Sequence, residues 1–192
     1  IIMFDSFFSL FSADIGVDLG TTNTFIFVKV KGIVIREPSV VARNRKTKEI
    51  LAIGEKAKKM IGKTPAMIET VRPLHDGVIA DYEATVSMLS YFFQESNQNV
   101  PFSRRIIRPR VVLGIPSGVT EVEQKAVQDA ALAAGARCAY LIEEPMAAAI
   151  GIGLDVDLPA GQPRGETGIE ALLADREREL IVGHDDGRFT GV

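Results

Sequence analysis

Two short apolar runs, Ile15-Gly16-Val17 and Phe25-Ile26-Phe27-Val28, flank the polar stretch Asp18-Leu19-Gly20-Thr21-Thr22-Asn23-Thr24. Runs of this length, bounded by turn residues, predict adjacent strands joined by a turn. The stretch holds one glycine, three hydroxyls and an amide. Gly20 permits φ > 0 and a close backbone approach to a ligand. Successive N–H groups in such a turn can form an anion-binding concavity. Thr hydroxyls add donors, and Asp18 can hold a hydrated Mg²⁺ through water. The pattern suits a phosphate, and it also suits an ordinary hairpin with a polar tip.

Further along, strands and helices alternate. Residues 15–19, 25–30 and 33–36 read as consecutive strands with Lys31-Gly32 as a tight turn, and 39–42 and 50–53 as shorter ones. Residues 55–61 predict a short helix ended by Gly62. Asp81 can cap a helix in which Val86, Leu89 and Phe93 recur at helical spacing. Residues 110–115 form a compact apolar strand. Thr120-Glu121-Val122-Glu123 fits a capping box for a helix that stops at Gly135. Residues 139–142 are the next strand, and Pro145 suits a first helical turn. This alternation indicates an α/β architecture.

The composition is that of an ordinary globular protein: 46% hydrophobic, 24% charged and a net charge of −3 across 192 residues. Nucleic-acid binding leaves a basic patch, and none is evident here. The single cysteine, Cys138, lies in an apolar run and reads as a buried structural thiol in a reducing, cytoplasmic setting. His75 and His184 stand in no metal-ligand spacing. In residues 1–12, Asp5, Ser6, Ser9 and Ser12 fall on one side of a helix, with Met3, Phe4, Phe7, Phe8, Leu10 and Phe11 covering the rest. That segment is too short to span a bilayer and lacks the basic start of a signal peptide. An interfacial membrane-anchoring helix is the expectation, against a loosely docked terminus.

Several motifs together carry a family resemblance. Asp18 to Thr24 resembles the first phosphate motif of the actin-like ATPase superfamily. Glu37-Pro38-Ser39-Val40-Val41-Ala42 is similar, more narrowly, to the MreB family of bacterial actin-like rod-shape proteins. Collinear matches follow at Gly62-Lys63-Thr64-Pro65, Arg72-Pro73-Leu74 and Asp76-Gly77-Val78-Ile79-Ala80-Asp81-Tyr82. Gly114-Ile115-Pro116-Ser117-Gly118-Val119-Thr120 and Glu143-Glu144-Pro145-Met146-Ala147-Ala148-Ala149-Ile150-Gly151 complete the set.

The resemblance implies an actin-like ATPase domain (ribonuclease H-like α/β) over residues 14–158, with a small subdomain inserted at about 32–103. It implies ATP and Mg²⁺ as cofactors. Gly20, Thr21, Thr22 and Asn23 would hold phosphate oxygens, Asp18 would meet Mg²⁺ through water, and Glu144 would position the attacking water. A helix N-terminal carboxylate favoured by the macrodipole is the alternative for Glu144. Partners implied are further copies in filaments, the membrane surface and cell-wall elongation proteins, at the cytoplasmic face. An actin-like chaperone ATPase is a weaker alternative.

Beyond residue 158 the resemblance stops. No Asp-x-Gly-Gly-Gly second phosphate loop occurs, and residues 159–192 read as an unrelated tail. A Gly- and Pro-rich run, 161–168, precedes a short amphipathic stretch, 169–180, and Asp185-Asp186 fits a solvated turn better than a calcium loop. The expectation is one wall of a nucleotide cleft, truncated to the first domain and poorly ordered in its tail. Such a chain binds ATP weakly or not at all by itself and lacks turnover.

Overall fold

The computed structural model describes residues 14–29, 31–63, 65–98 and 108–151. The expectations for residues 1–12 and for the tail lie outside them. The chain divides into two compact units after Glu144, and the described part of the second is the remainder of one helix.

The first unit is built on a five-stranded sheet of order β10-β9-β1-β2-β3. Its strands are β1 (Asp14–Leu19), β2 (Asn23–Val28), β3 (Gly32–Pro38), β9 (Arg110–Ile115) and β10 (Cys138–Glu143). β1, β2 and β3 form an antiparallel meander, while β1, β9 and β10 run parallel. Period-two alternation sets the faces. Ile15, Val17 and Leu19 are buried opposite Val28, Ile26 and Thr24, and beside Val111 and Leu113 of β9.

Two helices cover that face. The longer, which we number α2 (Tyr82–Gln98), buries Ala84, Met88, Leu89, Phe92 and Phe93, the stripe a 3.6-residue period dictates. α3 (Glu121–Ala133) buries Val127, Ala130 and Ala131 against the same core. Full burial of a side chain such as Phe92, Met88 or Leu89 is worth about 1.5–3 kcal/mol. Thr120 accepts from the Glu123 amide while the Glu123 carboxylate takes the Thr120 N–H, so the capping box forms as read.

A three-stranded sheet of order β5-β4-β6 lies between β3 and α2 in sequence. It comprises β4 (Val41–Asn44), β5 (Ile50–Ile53) and β6 (Ile68–Val71), with the helix α1 (Glu55–Lys58) after β5. β7 (Leu74–His75) and β8 (Val78–Ile79) make a short hairpin. Arg43 ties this region to α2: it bonds Glu69 at 2.7 Å and Asp81 at 2.6 Å. Asp81 caps the helix through its other oxygen, which accepts from the Ala84 amide at 3.0 Å.

Two local expectations are corrected. The helix at 55–61 ends at Lys58, and tighter turns carry the chain on, with Met60, Ile61 and Lys63 each bonding the carbonyl three residues back. The turn after β2 closes from the Lys31 amide to the Val28 carbonyl, and Gly32 already opens β3. Strands β6, β7 and β8 went unread because two to four residues show no usable period.

Candidate functional site

The stretch expected to cradle an anion is a tight turn between β1 and β2. Gly20 is needed there for space. It does not adopt positive φ, but a Cβ would fall 2.6 Å from the Asn23 carbonyl oxygen. Thr22 is exposed at the tip, and Thr21 and Asn23 are half-buried. Thr24 turns inward and is fully buried, its hydroxyl 2.9 Å from that of Ser39.

Two distant segments brace this turn. Ser39 donates its hydroxyl to the Gly20 carbonyl at 2.5 Å and its amide to the Thr22 carbonyl at 3.0 Å. On the other flank the Gly77 amide donates to the Thr21 hydroxyl at 3.0 Å. Gly77 adopts φ 77°, and a Cβ there would lie 2.3 Å from Pro116 Cγ, so the turn after β7 packs on the exit from β9. Ser117, the next residue of that exit, donates to Glu143 at 2.8 Å.

Asp18 lies beside Phe25 on β2 and Gly114 on β9, and directly paired residues share a sheet face. That face is opposite to the core, and partial desolvation there pushes the Asp18 carboxyl pKa above its ordinary value. A Cβ on Gly114 would stand 3.6 Å from Cγ of Glu144. The Glu144 side chain therefore lies over Gly114 at ordinary contact distance, on the face that carries Asp18. Its neighbour Glu143 is held by Ser117 instead. Glu144 is also the first residue of α4 (Glu144–Gly151), where a carboxylate is favoured by the helix dipole.

The sequence-read residues thus fall into two places. Asp18, Gly20, Thr21, Thr22 and Asn23 lie in and before one turn, and Glu144 reaches the neighbouring strand end. Sequence reasoning assigned no role to Ser39, Gly77 or Gly114, although each lies in a motif quoted above. Chemically, the turn offers backbone N–H groups and hydroxyls, the donors an anion needs. Among the described residues no cluster of three metal-ligating side chains occurs. A single carboxylate, Asp18, beside donors for phosphate is a set that fits Mg²⁺, which keeps most of its waters and takes its remaining ligands from phosphates. No described helix is long and apolar enough to cross a membrane.

Comparison with known proteins gives these features a context. A family model described as MreB/Mbl protein matches residues 12–163. The chain is 48% identical over 152 residues to the cell shape-determining protein Mbl of Bacillus subtilis (strain 168), covering 79% of this chain and 44% of that protein. With the cell shape-determining protein MreB of Escherichia coli (strain K12), identity is 48% over 163 residues, covering 83% and 46%. Among solved structures, MreB5 of Spiroplasma citri bound to ADP matches with a TM-score of 0.65 at 39% identity, over 77% of this chain and 43% of that one. This chain spans less than half the length of each of these relatives. The α/β fold expected from the sequence, that of an actin-like domain, is borne out over the matched region. By family model and by identity, the chain belongs to the MreB/Mbl family.

Proposed function

We propose that this chain is the phosphate-binding wall of an ATP site in a cell-shape-determining actin homologue. The observation that carries the reading is the braced turn at residues 20–23, with Asp18 paired to Gly114 on the adjoining strand and Glu144 lying over the same Gly114. MreB5 of Spiroplasma citri, matched over this region, is bound to ADP in one structure and to AMPPNP in another.

In this reading the N–H groups of Thr21, Thr22 and Asn23, with the hydroxyls of the two threonines, hold phosphate oxygens, and Gly20 lets the backbone come close. Asp18 would hold Mg²⁺ through water, and the ion would supply neutralisation of the phosphate charge. Glu144 accepts a hydrogen bond from the attacking water and orients it, as a general base does. The whole protein assembles with further copies into filaments at the cytoplasmic face of the membrane. There residues 1–12 lie on the lipid surface, and cell-wall elongation proteins are its partners.

The matched residues span less than half the length of these relatives, and in this reading they contribute one side of the cleft. By itself the chain binds ATP in the weak range, a Kd of about 1 mM corresponding to roughly −4 kcal/mol, and does not turn over. The experiment is a titration of the isotope-labelled chain with Mg-ATP, followed through backbone amide resonances, alongside phosphate release. Shifts centred on residues 20–23, without phosphate release, are expected. No response up to ~10 mM overturns the binding reading, and Glu144-dependent hydrolysis overturns the one-wall reading.

A further inference from the structure

Ser39 is fully buried on the short link between β3 and β4, and both of its hydrogen bonds to backbone oxygens go to one turn. Its hydroxyl donates to the Gly20 carbonyl at 2.5 Å, and its amide donates to the Thr22 carbonyl at 3.0 Å. No described peptide bond is cis. In a planar trans peptide the N–H points away from the C=O of the same unit. The unit that carries the Gly20 carbonyl carries the Thr21 N–H, and that of Thr22 carries the Asn23 N–H. Holding two alternate carbonyls on the Ser39 side therefore directs two alternate amides to the opposite side.

We infer that Ser39 is a positioning residue that aims the Thr21 and Asn23 amides outward, so that the turn presents donors to a phosphate. The inference rests on the phosphate-binding reading above for its ligand, but the geometry it asserts belongs to the free protein. Without the hydroxyl, the Gly20–Thr21 peptide is free to rotate, and rotation replaces a donor by a carbonyl oxygen that repels the same anion. Thr24 lies on the inner side of the pair. Its hydroxyl contacts Ser39 at 2.9 Å and reaches neither carbonyl, so it buttresses Ser39 without holding the turn itself.

The test uses the full chain, isotope-labelled, with sodium pyrophosphate and Mg-ATP as probes and thermal unfolding as a control. In Ser39→Ala, the Thr21 and Asn23 amide resonances of the free protein move, and the response to pyrophosphate weakens roughly tenfold. Thr24→Val, which keeps the Ser39–Gly20 bond, leaves both amides and the response near those of the parent. If Ser39→Ala does not fold, Ser39→Cys, whose thiol is larger and a poorer donor, is read in the same way. Unchanged Thr21 and Asn23 amides in the Ser39 variant overturn the inference. So does an equal effect from Thr24→Val, which assigns the change to loss of a buried polar pair. A parent chain silent to both probes defeats the phosphate reading, and the free-state amide shifts then decide the role of Ser39 alone.

Discussion

The Gly77 amide donates to the Thr21 hydroxyl at 3.0 Å across 56 positions of sequence. This bond couples the hairpin of β7 and β8 to the β1–β2 turn, and Gly77 makes it from a left-handed backbone jammed against Pro116. Gly77→Ala should therefore cost about 1–3 kcal/mol through backbone strain and overpacking. Urea unfolding gives the number. A variant as stable as its parent would mean that the Pro116 contact yields without resistance.

Asp18 carries the opposite balance. Partial desolvation raises its pKa in the folded chain, so folding favours the neutral carboxyl. Its contribution to stability is present at low pH and is lost as pH rises through the raised value. Asp18→Asn should raise the thermal midpoint at neutral pH while removing the acceptor for the Mg²⁺ hydration shell. The expected pairing is higher stability with a weaker Mg-ATP response. A lower midpoint would show that the carboxylate is stabilised by its surroundings.

Acid should act first on the small sheet. Lys48 and Arg43 hydrogen-bond Glu69 and depress its pKa to about 2, from an ordinary value of 4.5. A depressed carboxylate stabilises the fold above its ordinary pKa, and that contribution disappears as pH falls from 4.5 towards 2. Glu69→Gln should flatten the pH dependence of stability in that window. Parallel curves for parent and variant would remove Glu69 from the account.

Helix α3 depends on its cap. Thr120→Ala removes both the acceptor for the Glu123 amide and a donor to the Glu123 carboxylate. A loss of about 0.5–2 kcal/mol in denaturant midpoint analysis is expected. The Glu123 pKa, now held below the ordinary carboxylate range by its bonds to Thr120, should rise at the same time.

The parts of this architecture legible in the sequence are the local ones. The Thr120–Glu123 box, the Asp81 cap and the apolar–turn–apolar pattern around residues 18–24 each involve residues within a few positions of one another. Sequence spacing alone could order them. The braces could not be read that way. Ser39 reaches Gly20 across 19 positions, and only the pairing of β2 with β3 brings them together. Gly20 shows a second limit. The sequence suggested a glycine chosen for positive φ, whereas the structure needs it because the Asn23 carbonyl occupies the place of a Cβ. Gly114 read only as one position of the apolar strand 110–115. Its place between Asp18 and Glu144 emerges only from the β1–β9 register.

The parallel pairing of β1 with β9 also governs how the chain is assembled. Asp14 and Arg110, joined by two charge-assisted bonds at 2.8 and 2.9 Å, begin strands 96 positions apart. Closing a loop of that length costs on the order of 4 kcal/mol in chain entropy before the pairing returns anything. During synthesis at roughly 5–20 residues/s, the β1–β2–β3 meander waits seconds for its remaining strands. Throughout that interval β1 presents a bare edge carrying Ile15, Val17 and Leu19, a ready template for wrong strand pairing. Emergence of residues 110–115 from the ribosome is thus the moment that commits the nascent chain to its sheet.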